Sequence, residues 1–365
     1  MTDVVAETGR WLQGFSESCV DRSPLYHHLA AGIVADPILL PLAVSPLNQP
    51  PHIIFSAVHY LLLSGSGHRL GEFFSSLSSD PAPPEKAWPI FREFCLEHED
   101  QLRALVDSRI VQTNEVARSS ATYAAFGAIA ERLGGRPIAL IEIGASAGLN
   151  LLPDRYAYNY DGHLVGDLSS SITIPCRLLG SHRPELPTRS PEIIFRRGID
   201  LNPIDIEDDD ARLWLRSLIW PEQQERADTL TKAIEIARQD PPRVVKGDAL
   251  EHLHDVAGDA PADVPLCVLD TYMTHTWSSA DRERLAGLLD ELAAERELYG
   301  ISCEWLEGPM PKLELTMWES GEPTTTLLAY CDSHGRSIEW LTGSESERGR
   351  SRETERGRSG ETENR

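Results

Sequence analysis

The stretch that most narrows what this chain can fold into is IALIEIGASAGLN, Ile138 to Asn150. Its first six residues, Ile138 to Ile143, are apolar except for Glu142, and Gly144, Ala145, Ser146, Ala147 and Gly148 follow at once. A short apolar run that ends in glycines reads as a buried strand stopped by a tight loop. Such a strand has no polar face to leave in water, so it needs cover on both sides, which a parallel sheet with crossover helices provides. The runs Ile193 to Ile199, Arg243 to Val245, Leu266 to Leu269 and Ile301 to Trp305 repeat the pattern, with turns and helical periodicity between them. The expected class is α/β, a doubly wound and mostly parallel sheet.

The helix between the fourth and fifth of these strands is the best marked. Ser278 and Asp281 spell a capping box, and apolar residues at 285, 288, 289 and 292 form one stripe over Ser279 to Leu298. Beyond Trp305 the alternation stops. Leu313 to Trp318 and Thr324 to Tyr330 are strand-like and only ESGEP separates them, which forces an antiparallel hairpin, because a parallel return needs a crossover of about a dozen residues. Ahead of the first strand the pattern is helical. Phe91, Phe94, His98, Leu102 and Leu105 fall three or four apart, as do Ile54, Val58, Leu61 and Leu62, and a last helix from about Asn114 to Leu133 is stopped by Gly134, Gly135 and Pro137. The expected organisation is an all-helical N-terminal domain over 1–130, acting as lid or substrate platform, and an α/β domain over 131–342. The residues from 343 to 365 have no large apolar side chain and are expected to be a disordered charged tail.

Two chemistries share the letters GASAG. Read as G-x-S-x-G, they spell the nucleophile elbow of a serine hydrolase, with Ser146 attacking and Asp270 and His334 completing the order of acid and base. That reading wants several strands before the elbow, where this chain is helical. Read as E-x-G-x-x-x-G, they form a loop in which nothing attacks and the backbone makes room for a ligand. GIDLNPID then places Asp200 at the end of the second strand and VVKGDAL places Asp248 after the third. Loops at the carboxyl ends of such strands converge on one crevice where the sheet order reverses.

The glycine loop, the two strand-end acids and the terminal hairpin together resemble the class I S-adenosylmethionine-dependent methyltransferases. That resemblance implies S-adenosylmethionine as cofactor, with Glu142, Gly144, Ser146, Gly148, Asn150, Asp200 and Asp248 around it. Asp200 can accept from the ribose hydroxyls and Asp248 from the adenine amine. The segment LDTYMTHTW follows the fourth strand, where such enzymes keep substrate and catalytic side chains. Asp270, Tyr272, His275 and Trp277 are the candidates, with His275 or Tyr272 removing a proton from an unidentified small-molecule substrate. Each also has a purely structural use: the glycines in turn and packing, the strand-end acids as helix caps, Trp277 in the core.

VQTNEVARSSATYAAFGAIAERLGG, IEIGASAGLNLLPDRYAYNY, GIDLNPIDI, VVKGDAL and CDSHGRSIEWL are similar to a prokaryotic family known as domain of unknown function 2332, over nearly the whole chain apart from the tail. Membership implies the methyltransferase-like Rossmann fold and leaves the substrate open. Two departures from the methyltransferase pattern matter. Ser146 stands where the middle glycine is usual, and Glu142 to Asp200 spans 58 positions, against about 20 between the equivalent groups of a standard dinucleotide fold. Tyr156 to Arg189 must then loop out, or Asp161 serves as the ribose acid. A non-catalytic binding or structural protein that kept the fold and lost the cofactor is the alternative these departures favour. A nicotinamide enzyme would need the G-x-G-x-x-G that is missing here.

Charge limits the partners. The formal net charge is -23, from 57 acids against 34 bases, and only four of the bases are lysine. Such a surface repels nucleic acid and anionic membranes, and it suits a halophilic source. The six cysteines are scattered singly, and His252 and His254 lack a third metal ligand at a usual spacing, so neither a disulfide framework nor a metal site is expected. No apolar run is long enough to span a bilayer and the first residues do not read as a signal peptide, so the expected location is cytoplasmic. Gln112, Asn114 and Arg118 form a polar helix start that could close over a cofactor carboxylate, or be a solvated face.

Overall fold

The computed structural model describes residues 2–187, 190–306 and 308–341. The expected tail lies outside them. The helices, in chain order, are α1 (Thr2–Cys19), α2 (Pro24–Ala35), α3 (Ile53–Leu63), α4 (Ala87–Glu97), α5 (Glu99–Ser108), α6 (Ser119–Leu133), α7 (Asp209–Ser217), α8 (Gln224–Ala237), α9 (Ala249–Gly258) and α10 (Ser279–Glu295). The strands are β1 (Ile138–Ile143), β2 (Ala157–Tyr160), β3 (His163–Gly166), β4 (Thr173–Leu179), β5 (Ile193–Asp200), β6 (Arg243–Lys246), β7 (Leu266–Thr271), β8 (Leu298–Glu304), β9 (Lys312–Glu319), β10 (Glu322–Cys331) and β11 (Ser337–Trp340). No helix among the described residues is long and apolar enough to cross a membrane.

The chain divides into two compact units, 1–113 with 205–231, and 114–204 with the residues from 232 onward. The first is helical, as the periodicity predicts. Leu12, Leu29, Ile33, Phe55, Phe91 and Phe94 are wholly or almost wholly buried in it. Its second segment is an excursion that leaves the α/β region and returns, and it brings in α7, whose Trp214 Nε1 donates to the Ile110 carbonyl at 2.9 Å. The expected boundary at 130 differs from this division. The helix before β1 belongs to the sheet unit, where α6 packs on β4, β8 and β9.

The second unit is built on one sheet of eleven strands in the order β3-β2-β4-β11-β10-β9-β8-β7-β1-β5-β6. From β8 to β6 every neighbour is parallel. β1 and β7 are buried along their whole length, because α9 and α10 cover one face of this part of the sheet through Leu250, Leu253, Val256, Leu285 and Leu292. Ser278 caps α10 as its sequence predicts, its Oγ accepting from the Asp281 N–H at 3.1 Å.

β9 and β10 form the predicted antiparallel hairpin. Its two-residue turn is Ser320-Gly321, with φ of 56° and 85° at the two positions, the geometry that matches the twist of the flanking strands. Of the stretch Tyr156 to Arg189, the described part, 156–187, does not loop out. It folds into β2, β3 and β4, and β4 joins the rest of the sheet by pairing in parallel with β11. Asp161 is the first residue of the tight β2–β3 turn, with φ 51°, and its carboxylate accepts from the Leu178 N–H at 3.0 Å. With β4, β11, β10, β9, β8 and β7 between β2 and β1, Asp161 is on the far flank from the glycine loop. Asp200 is left as the acid beside that loop.

Candidate functional site at the carboxyl ends of the parallel strands

β1 ends at Ile143 and the chain turns back on itself at once. Gly144 has φ 70° and its N–H donates to the Ile199 carbonyl at 2.8 Å. Ser146 also has a positive φ, 55°, unusual for a residue with a Cβ. The loop is fastened by Asp200 at the end of β5, whose Oδ2 accepts from the Ser146 N–H at 2.8 Å and whose Oδ1 accepts from the Asn202 N–H at 2.7 Å. Asn114 Oδ1 accepts from the Leu149 N–H at 3.0 Å. Gly148, φ 74°, lacks a side chain for a packing reason, since a Cβ there would come within 2.8 Å of the Pro242 ring.

A crevice opens where these ends meet. It encloses about 130 Å³, or about 480 Å³ with its open mouth, and Gly144, Asp200, Gly247, Asp248, Met273 and Trp277 are among the residues around it. Asp248 caps α9, its Oδ1 accepting from the Leu250 N–H at 2.9 Å. Met273 lies directly over the loop, so a Cβ at position 144 would meet its Cγ at 2.7 Å.

Of the residues singled out in the sequence, Gly144, Asp200, Asp248 and Trp277 line the crevice, and Glu142, Ser146, Gly148, Asn150, Tyr272 and His275 do not. Glu142 is buried behind the loop. Its Oε1 accepts from Asn150 Nδ2 at 3.3 Å and Thr271 Oγ1 at 3.4 Å, while Glu142 Oε2, Asn150 Oδ1 and Ser146 Oγ have no hydrogen-bond partner among the described residues. Burial pushes the Glu142 carboxyl up to about 8. The positive φ at Ser146 is what a nucleophile elbow would have, but its hydroxyl is buried and has no histidine partner among the described residues.

The segment after β7 gathers a second group. Tyr272 has φ 57°, and the Arg118 guanidinium lies 3.9 Å from its ring centroid. Arg118 Nε donates to the Ser333 carbonyl at 3.0 Å, in the turn between β10 and β11. Asp270 is buried, and its Oδ2 accepts from Thr274 Oγ1 at 2.7 Å. Glu304, the last residue of β8, was not legible as a site residue. A lone acid at a strand end carries no motif, yet this one accepts from the N–H groups of Met273, Thr274 and His275 and from His275 Nδ1. Burial first, then the Glu304 charge, pushes the Asp270 carboxyl well above its ordinary value. At Glu304 the upward push of burial is outweighed by hydrogen bonds from His275, Asp270 and the Met273 N–H, which hold it below the usual range. The two carboxyls are thus pushed in opposite directions, Asp270 up and Glu304 down.

His252 and His254 do not converge on one site. The His252 ring fills the space over Gly247, and His254 Nε2 lies 3.6 Å from Glu295. The six cysteines are buried free thiols.

A search of curated proteins finds no match. The family described as "Uncharacterized protein conserved in bacteria (DUF2332)" matches residues 10–340, which takes in most of the helical unit and the whole sheet. That coverage, with the crevice falling inside it, makes this chain a member of the DUF2332 family.

Proposed function

We propose that the crevice binds S-adenosylmethionine and that the protein transfers its methyl group to a small molecule. One observation carries the reading: Gly144, Asp200 and Asp248, which lie far apart in the chain at the ends of three different strands, line the same crevice. The parallel order β6-β5-β1-β7-β8, with an antiparallel strand beyond it, supports the class I methyltransferase comparison. In those enzymes the last strand enters between two others, whereas here β9 follows β8 directly as a hairpin.

The residues fit the cofactor in chemistry. Asp200 and Asp248 offer acceptors to ribose hydroxyls and an adenine amine. Arg118 could take a carboxylate, and the unpartnered Asn150 Oδ1 beside Glu142 would accept from a donor such as an ammonium group, whose charge would also draw the proton from Glu142. The enclosed space is too small as it stands, and Met273 is the side chain that has to swing from Gly144, a move its unbranched chain allows. Bound there, the cofactor supplies a methyl group on a sulfonium that needs no activation by the protein. The chain's own work is then positioning, and His275, beside the crevice, takes up the acceptor's proton.

Calorimetric titration with S-adenosylmethionine and S-adenosylhomocysteine in molar salt tests this. Binding is expected for both, and Asp200→Asn, which keeps one acceptor oxygen for the loop, should weaken it by about tenfold or more through loss of charge-assisted bonds. No heat with either ligand overturns the reading. That outcome selects the second one, a binding protein without cofactor, which the position of Met273 over Gly144 favours.

A further inference from the structure

We infer that Glu304 is the positioning residue of this site: by gathering the Met273–His275 turn and the His275 ring onto one carboxylate, it leaves Nε2 of His275 bare as a proton acceptor. Its use in catalysis rests on the methyl-transfer reading, but the geometry does not.

Glu304 is 3 % exposed and spends both oxygens on one turn. Oε1 accepts from the N–H groups of Met273 and, at 3.1 Å, Thr274. Oε2 accepts from the His275 N–H at 3.1 Å and lies 3.1 Å from His275 Nδ1. Three successive backbone donors on one carboxylate fix the turn as an anion-binding nest does, and the ring bond to the same oxygen fixes the side chain. A carboxylate can only accept, so the neutral ring must carry its hydrogen on Nδ1 and have its lone pair on Nε2. The His275 side chain is 38 % exposed and Nε2 has no partner among the described residues.

What surrounds the turn keeps this arrangement. Asp270 accepts from Thr274 Oγ1 of the same turn, and burial, then the Glu304 charge, pushes its carboxyl well above its ordinary value. The Tyr272 ring stands edge-on to His275 with centroids 6.4 Å apart. Arg282 Nη1 is bonded to the Thr274 and Trp277 carbonyls, so it braces the turn from α10 without reaching the ring. A carboxylate serving only as a clamp would need the three N–H groups and not the imidazole. Placing an exposed histidine on it as well sets which ring nitrogen is basic.

The test uses the full-length protein with no ligand. Nitrogen NMR of the histidine-labelled chain, at a pH where imidazoles are neutral, reads the tautomer, and His275→Asn identifies its signals among the 12 histidines. His275 is expected with its hydrogen on Nδ1. In Glu304→Gln the amide can donate to Nδ1, so the hydrogen should move to Nε2. The rate of His275 modification by diethyl pyrocarbonate, read by mass spectrometry, should then fall by roughly tenfold or more, the other histidines serving as controls. A wild-type His275 protonated on Nε2 overturns the inference, as does a folded Glu304→Gln protein with unchanged tautomer and rate. If that variant does not fold, the wild-type tautomer alone decides. Neither measurement contains S-adenosylmethionine, so this result and the titration above can fail separately.

Discussion

The two flanks of the sheet obey different rules. From β8 through β7, β1 and β5 to β6 all strands run the same way, and every strand-end loop leaves by the same edge. From β9 to β3 the pairing is mixed, with β9–β10, β10–β11 and β2–β3 antiparallel, so the loops are split between both edges. The parallel flank concentrates acids and glycines from distant parts of the chain at one crevice. The mixed flank braces that crevice from the side. Its β10–β11 turn holds Arg118 over Tyr272, and Tyr156, just before β2, and Tyr158 within it donate to the Leu149 and Pro153 carbonyls, each at 2.8 Å. Chemistry gathers where strand directions agree, and support comes from where they do not.

The largest expected effect tests that bracing. Gly335, φ 71°, sits in the β10–β11 turn, where a Cβ would come within 2.1 Å of the Ala117 carbonyl oxygen and 2.6 Å of the Arg118 nitrogen. Gly335→Ala combines backbone overlap with a left-handed conformation, and should cost about 3 kcal/mol or more in urea denaturation. A near-neutral result would detach the mixed flank from the site.

The next concerns the parallel flank. Glu142 is buried and its carboxyl is pushed up to about 8 when folded, against 4.5 when exposed. The folded state thus keeps a proton that the unfolded chain loses. The stabilising difference is complete below pH 4.5 and is lost as the pH rises through about 8. At about 1.4 kcal/mol per pH unit, burial of this group costs a few kcal/mol by pH 8.5. Glu142→Gln mimics the protonated form, so it should be nearly neutral at pH 5 and stabilising at pH 8.5, as chemical denaturation at the two values will show. Equal effects at both would mean that Glu142 is ionised throughout.

Ser146→Gly should have the smallest effect, a gain in stability where Gly335→Ala brings a loss. Ser146 pairs a φ of 55° with a buried hydroxyl that has no partner among the described residues, and glycine relieves both. A gain of about 1 kcal/mol is expected, with no esterase activity or fluorophosphonate label to lose, since the wild type should show neither. A Ser146-dependent label would restore the nucleophile reading.

How much of this was legible follows from the distance over which each signal acts. β1 is found at its predicted residues, and β5, β6, β7, β9 and β10 within about two residues of theirs, because apolar runs and turn residues are local. β2, β3, β4 and β11 were missed. β4 does alternate, with exposed Thr173, Pro175 and Arg177 against buried Ile174 and Cys176, but a proline interrupts it, and its place depends on a β4–β11 pairing across some 160 residues, Arg177 with Ser337. In the site, Gly144, Asp200 and Asp248 could be read from motifs. Glu304 could not, because its partners lie 29 to 31 positions back in the chain.

The sequence by itself determined the helical start, the parallel α/β alternation, the tight loop after β1 and the acids that end β5 and follow β6, since each depends on residues a few positions apart. Tertiary structure alone decided that 157–179 extends the sheet, that 205–231 joins the helical unit, that Met273 covers Gly144 and that Glu304 takes the His275 ring. Those outcomes depend on which distant strands become neighbours. Strand pairing is set by burial and hydrogen bonding summed over the whole sheet, and no short stretch of residues encodes that sum.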